Sequence, residues 1–137
     1  LVALVNPKDK LTSKKYFTAS DFEGRNLIIF SRPMSTVRVY EKVLKPAGVE
    51  PLRVFEIPMT EAMVEMVASG MGIAVIPHWI ARPYIEAGKV APVRVTKNGL
   101  HRSLGLALPK QETYPKYIFT LIEFLKHNLG GVMNHQS

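Results

Sequence analysis

The 137-residue chain contains no cysteine, which excludes disulfide frameworks, cysteine-ligated zinc, redox dithiols and a thiol nucleophile. It also has no apolar run approaching the roughly 18 residues that a membrane-spanning helix needs. Acids are scarce: 11 Asp and Glu face 18 Lys and Arg, for a net charge of +7. Such a balance favours contact with anions, whether nucleic acid, an acidic surface or a small carboxylate. The bases are spread along the chain, with no basic tail, no interleaved Arg and aromatic residues, and no zinc-finger or ribonucleoprotein motif. Solubility and a mild positive field account for that pattern. There is no Gly-x-Ser-x-Gly elbow, no Walker loop and no His-Glu-x-x-His. His78, His101, His127 and His135 are scattered without metal-ligand spacing.

What is present is an alternation of strand and helix signals. The length fits one domain, or two small lobes, with a core that needs no staples. The chain starts at Leu1 inside the apolar run Leu1–Val5, which is too short for a signal sequence and soon reaches Pro7. It reads as a strand already under way in a piece of a longer protein. Thr18–Gly24 has a helix-turn look, with Ser20 as cap, Glu23 three residues on and Gly24 as stop. Leu27–Phe30 reads as a strand covered on both faces, and Ser35 or Thr36 as cap of a helix ending at Pro46 and Gly48. Leu52–Ile57 is the next strand. Thr60 then caps a helix with Met59, Met63, Met66 and Val67 on one face, ended by a left-handed Gly70.

Ile73–Ile76 is a further buried strand, followed by an irregular helix interrupted by Pro83. Val90–Val95 and Leu104–Leu108 read as strands. Asn98-Gly99 between them is either a hairpin or a crossover. A last amphipathic helix carries Tyr117, Ile118, Leu121, Ile122 and Leu125, with Pro115 in its first turn. Residues 130–137, with two glycines and little periodicity, are expected to be a disordered tail. The whole predicts an α/β fold with a mostly parallel sheet flanked by helices.

Three constellations carry chemical meaning. Gly70-Met-Gly72 has the wrong context for a dinucleotide fingerprint, since a helix precedes it and a strand follows; a C-cap with tight entry into Ile73 fits better. Glu61 and Glu65 share a helix face and could pair as acid and base, but carboxylates in first helical turns ordinarily complement the dipole. The third is the set of strand-to-helix junctions: Ser31, Arg32, Pro33, Met34, Ser35 and Thr36 after one strand, Met59 and Thr60 after the next, and Pro77 after the third. In a parallel sheet such junctions share one edge, where open α/β folds bind ligands. Helix N-termini there offer unpaired N–H donors to a carboxylate or phosphate, the hydroxyls add donors and acceptors, and Arg32 could clamp a carboxylate. Met34 and Met59 would form soft walls. The competing account is that each Ser or Thr is an ordinary helix cap.

Thr60–Trp79, with its core Val67-Ala-Ser-Gly-Met-Gly-Ile-Ala-Val-Ile-Pro77, resembles the effector-binding domain of LysR-type transcriptional regulators. Leu1–Leu11 is similar to the strand that leads into a His-Pro-Leu loop in that family, although Lys10 stands where His-Pro is usual. Leu44–Pro51 and Pro77-His-Trp79 are similar to the members that regulate methionine biosynthesis.

The resemblance implies a two-lobed, periplasmic-binding-protein-like fold with the first lobe incomplete: residues 1–26 part of it, 27–96 a complete second lobe, and 97–129 a return to the first. It implies a regulatory domain, not an enzyme, with no cofactor and no metal. The effector would be a small carboxylate or amino-acid-like co-inducer, homocysteine for the methionine regulators, held between two lobes by the nine junction residues. DNA would be bound only through an N-terminal winged helix-turn-helix absent from this chain. The parent would be cytoplasmic, without membrane contact, and a homodimer or homotetramer. The helix from Thr36 to Lys45, with Val37 and Tyr40, is a candidate pairing face. The rival readings are a solute receptor of a transport system and a dehydratase on the same scaffold.

Overall fold

A computed structural model describes residues 1–103, 105, 107, 108 and 113–133. Five strands, β1 (Val2–Val5), β2 (Leu27–Ile29), β3 (Val54–Glu56), β4 (Ile73–Ile76) and β5 (Ala91–Arg94), form one sheet in the order β3-β2-β4-β1-β5. β2 pairs in parallel with β3 and β4, while β1 runs antiparallel to both β4 and β5. Four strands thus share a direction and β1 alone opposes them. The apolar run at the start of the chain is explained by burial on both faces of this strand, with Ala3 and Val5 packed in one core and Leu4 in the other. Pro92, which cannot donate to a ladder, sits in the edge strand β5, where it is tolerated.

Side chains of the strands alternate between two cores. Ala3, Val5, Leu27, Ile29, Ile73 and Val93 pack with Phe17, Phe22, Val39 and Leu44 on one face. Leu4, Ile28, Ala74 and Ile76 pack with Met63, Val64, Val67 and Ala81 on the other. The second face is covered by α1 (Thr60–Ala68) and α2 (His78–Glu86). The first is covered by short 3-10 turns and an irregular helical stretch, including a wide turn, Tyr40–Leu44, in which the Lys45 N–H reaches back to the Tyr40 carbonyl. Phe17 and Phe22 meet edge to face there, with centroids 5.7 Å apart.

Residues 1–26 are therefore not part of a separate lobe. Backbone pairing places β1 between β4 and β5, and the residues through Arg102 form one compact unit. The described residues from Ser103 onward form a second. Within it α3 (Lys116–Met133) begins one residue after Pro115. Ile118, Ile122 and Leu125 are half-buried, whereas Tyr117 and Leu121, expected on the same face, are exposed. The helix continues through Met133, so Gly130–Met133 is helical backbone and not a disordered tail; Asn134 to Ser137 lie outside the described residues. The strand expected over Leu104–Leu108 rests on Leu104 and Leu106, which also lie outside them.

Several local expectations change. The capping pair of the 3-10 turn Ala19–Phe22 is Thr18 and Asp21, not Ser20 and Glu23: the Asp21 carboxylate accepts from the Thr18 N–H and hydroxyl at 2.8 and 3.0 Å. Pro83 lies inside α2 without ending it. Val37 and Tyr40 are half-buried against this unit's own core. At Asn98-Gly99 a tight turn forms, with the Gly99 N–H on the Thr96 carbonyl, and among the described residues no strand follows it. Thr96 itself has φ 62°, held by its N–H to the Phe17 carbonyl and its hydroxyl to the Gly99 carbonyl.

Candidate functional site

Because β3, β2 and β4 are parallel neighbours, the chain leaves all three at the same edge of the sheet. The three junctions expected to hold a ligand are thus adjacent along one rim. After β2, Ser31, Arg32 and Pro33 are exposed and lead, through a cis Arg32–Pro33 peptide, into a 3-10 turn over Met34–Thr36. The Thr36 N–H and hydroxyl both donate to the Pro33 carbonyl, at 3.0 and 2.8 Å. Thr36 therefore closes a turn and caps no helix; Val37 after it is extended. Ser31 and Ser35 are exposed, and their hydroxyls make no hydrogen bond among the described residues. Met34 is half-buried against the core beneath the turn.

Arg32 is engaged. Its backbone N–H donates to Glu56 Oε1 at 3.2 Å, and its Nε lies 3.7 Å from Glu56 Oε2. The carboxylate expected as the partner of Arg32 is thus supplied by the end of the neighbouring strand.

After β3, Met59 is the N-cap of α1 and Thr60 its first residue. No side chain caps this helix. Its first internal bond runs from the Met63 N–H to the Met59 carbonyl at 3.0 Å, which leaves the N–H groups of Thr60, Glu61 and Ala62 without helical partners. Thr60 is not the cap expected of it. The same holds after β4: Pro77 is the N-cap of α2, no side chain caps it, and the earliest bonds come from Ile80 and Ala81 to the Pro77 carbonyl. His78 and Trp79 keep N–H groups without helical partners. Two bare helix N-termini therefore open on the same rim, each a partial positive charge with donors pointing outward.

Three large apolar side chains stand exposed at this rim, of which Phe30 and Trp79 escape sequence reasoning. Phe30, Met59 and Trp79, one per junction, are 55%, 60% and 55% exposed. The sequence places Phe30 as the last residue of an apolar strand; β2 stops at Ile29 and leaves the ring in solvent. The available signal is an aromatic residue just ahead of a polar junction. The other candidates fall away from the rim chemistry. Glu65 is paired with Lys89, and Glu61 is exposed, so they do not form an acid–base pair. Among the described residues no group of His, Asp or Glu is arranged to hold a metal. His101 Nε2 donates to the Asn98 carbonyl at 3.2 Å, His78 begins α2 and His127 is exposed on α3. His135 lies outside the described residues.

A concavity of about 160 Å³ lies at the opposite edge between Asn6, Asp9, Arg25, Asn26 and Gly70–Gly72. Its polar groups are turned on one another: Arg25 binds Asp9 at 2.6 Å, and Asn6 and Asn26 donate to the Ala68 and Met71 carbonyls. The Asn26 Oδ1 is buried without a partner. This edge ties the loops together.

Comparison with known proteins settles the family. The LysR substrate binding domain model matches residues 1–130. The chain belongs to this family. Among relatives of the LysR domain, the HTH-type transcriptional regulator MetR of Haemophilus influenzae is 33% identical over 126 residues, covering 92% of this chain and 40% of the relative. The regulatory domain of NMB2055 (MetR), a LysR family regulator from N. meningitidis, is 35% identical with a TM-score of 0.69, over 72% of this chain and 45% of that one. HinK, a LysR family regulator from Pseudomonas aeruginosa, matches in fold with a TM-score of 0.74 at 19% identity, over 96% of this chain and 45% of that one. This LysR domain thus spans less than half the length of those proteins. They are transcriptional regulators, neither transport receptors nor dehydratases. No helix among the described residues is long and apolar enough to cross a membrane.

Proposed function

We propose that this LysR domain binds a small carboxylate or amino-acid-like effector at the rim after β2, β3 and β4, with homocysteine as the first compound to test. The observation that carries the reading is the pair of uncapped helix N-termini, at Thr60 and His78, on one edge of the sheet. Their N–H groups suit a carboxylate. Ser31, Ser35 and Thr60 add hydroxyls, Arg32 a positive charge, and Pro33, Thr36 and Pro77 fix the loops; Met59 lends an apolar surface. Met34 acts through the turn it supports. Similarity to the MetR regulators supports homocysteine as the effector. It also supports a cytoplasmic parent that pairs as a homodimer or homotetramer and contacts DNA through an N-terminal winged helix-turn-helix. Effector binding would shift an equilibrium between arrangements that the DNA-binding heads feel.

Thr60→Pro is the informative variant. Proline is accepted at the first helical position after an extended residue, and Met59 is extended, with φ −136° and ψ 122°. The change deletes one N–H donor while leaving α1 intact. Calorimetric titration should show saturable homocysteine binding by the wild-type chain without turnover. Binding by Thr60→Pro should be about tenfold weaker, since one charge-assisted hydrogen bond is lost, with the melting temperature within a few degrees. Unchanged affinity would remove the α1 N-terminus from the site.

A further inference from the structure

Of the five asparagines in the chain, only Asn98 is followed by glycine. Asparagine is chemically labile, and a glycine after it leaves the next backbone nitrogen unshielded. Asn98 is exposed, and its side-chain amide has no hydrogen-bond partner among the described residues. It is the third residue of the turn Thr96–Gly99, in which the Gly99 N–H donates to the Thr96 carbonyl at 3.2 Å. Gly99 has φ 79°, which glycine adopts without strain. His101 folds back over the pair. Its Nε2 donates to the Asn98 carbonyl at 3.2 Å, and a Cβ at Gly99 would lie 3.0 Å from the same nitrogen. The Arg38 Nε donates to the His101 carbonyl at 3.1 Å and anchors its backbone. A donor on the Asn98 carbonyl draws electron density out of the Asn98–Gly99 peptide, which makes the Gly99 N–H easier to deprotonate.

We propose that Asn98 is a site of spontaneous deamidation, promoted by His101. The Gly99 nitrogen gives up its proton to solvent and attacks Asn98 Cγ. A new N–Cγ bond closes a five-membered succinimide as the Cγ–Nδ2 bond breaks, and the amide departs as ammonia with a proton returned from solvent. Water then opens the ring at Cγ to give aspartate, or at the main-chain carbonyl carbon to give isoaspartate. The net exchange is one water for one ammonia, and it adds a negative charge to the turn. Isoaspartate also lengthens the main chain by one carbon, between groups that hold Thr96 at φ 62°. The other asparagines lack this arrangement. Asn6 precedes Pro7, which has no N–H, and the Leu27 N–H after Asn26 is committed to the Arg53 carbonyl at 2.8 Å. Asn128 lies within α3, where its side chain donates to the Phe124 carbonyl at 2.8 Å. Asn134 is followed by His135, which is bulkier than glycine at the attacking nitrogen.

The test ages the wild-type chain, Asn98→Gln, His101→Ala and His101→Gln in mildly alkaline buffer made with oxygen-18 water. Mass spectrometry follows each asparagine peptide, and enzymatic methylation reads isoaspartate. In the wild type, Asn98 should convert before the other asparagines and take up one heavy oxygen. Asn98→Gln should abolish that early product, because the longer side chain closes a six-membered ring less readily. His101→Ala should slow conversion several-fold. His101→Gln, which can still donate to the Asn98 carbonyl, should recover part of the rate, with both variants melting within a few degrees of the wild type. A wild-type Asn98 that converts no faster than Asn128 overturns the site, whatever the variants do. An unchanged or higher rate in His101→Ala, or an equal loss in both His101 variants, overturns the part given to the His101 hydrogen bond.

Discussion

Asp9 and Asp21 hold the long connection between β1 and β2. Burial pushes the Asp9 carboxyl up, but hydrogen bonds from Arg25 and the Leu11 N–H, with the Arg25 charge, outweigh it and hold Asp9 below the usual carboxylate range. Asp21 is likewise pushed up by burial and pulled further down by Lys14 and Thr18. A carboxyl depressed in the folded state contributes stability that is present above its unfolded pKa of about 4 and is lost as pH falls through the folded value. Thermal melts of the wild type should therefore drop steeply below about pH 4. The Asp9→Asn, Asp21→Asn double variant should lose about 1 kcal/mol per site at neutral pH and show a shallower acid drop. An unchanged acid slope would mean that other carboxylates control it. The helix caps were the least legible feature at this scale. Thr18, Thr36 and Thr60 are chemically able to cap, and which of them does so depends on the direction of the preceding chain, which residue type does not record.

At the scale of elements, the glycines were the clearest punctuation. Gly48, Gly70 and Gly88 have φ of 66°, 76° and 67°. Gly70 closes a double C-cap, with its N–H on the Val67 carbonyl and that of Met71 on Met66. Gly72 serves a different purpose. A Cβ there would lie 2.7 Å from the Asn26 carbonyl oxygen, which accepts the Ile73 N–H where β4 meets the start of β2. Gly72→Ala should therefore cost about 1–3 kcal/mol in urea unfolding, the usual range for overpacking. A neutral result would show that the β2–β4 entry can spread. The uniform apolar runs of β1, β2 and β4 and the period of α1 were readable because burial on both faces, or on one stripe, leaves a direct mark on sequence. The stretch over residues 34–47 was not. It mixes 3-10, α and wide turns, and no single period describes it.

For the whole molecule, what sequence could not show was which strands are neighbours. Residues 1–26 read as a piece of another lobe, because nothing in Leu1–Val5 says that it pairs with Ile73–Ile76 and Ala91–Arg94. That information resides in backbone pairing between segments far apart in the chain. The rim was legible for a simpler reason: once β2, β3 and β4 are parallel, their exits must share an edge. The same topology puts the polar concavity at the other edge, so the two can be told apart in one experiment. In an NMR titration with homocysteine, the account predicts saturable amide shifts concentrated in Ser31–Thr36, Thr60–Ala62 and His78–Trp79. Shifts gathered instead at Asn6, Arg25 and Gly70–Gly72, or none that saturate, would contradict it.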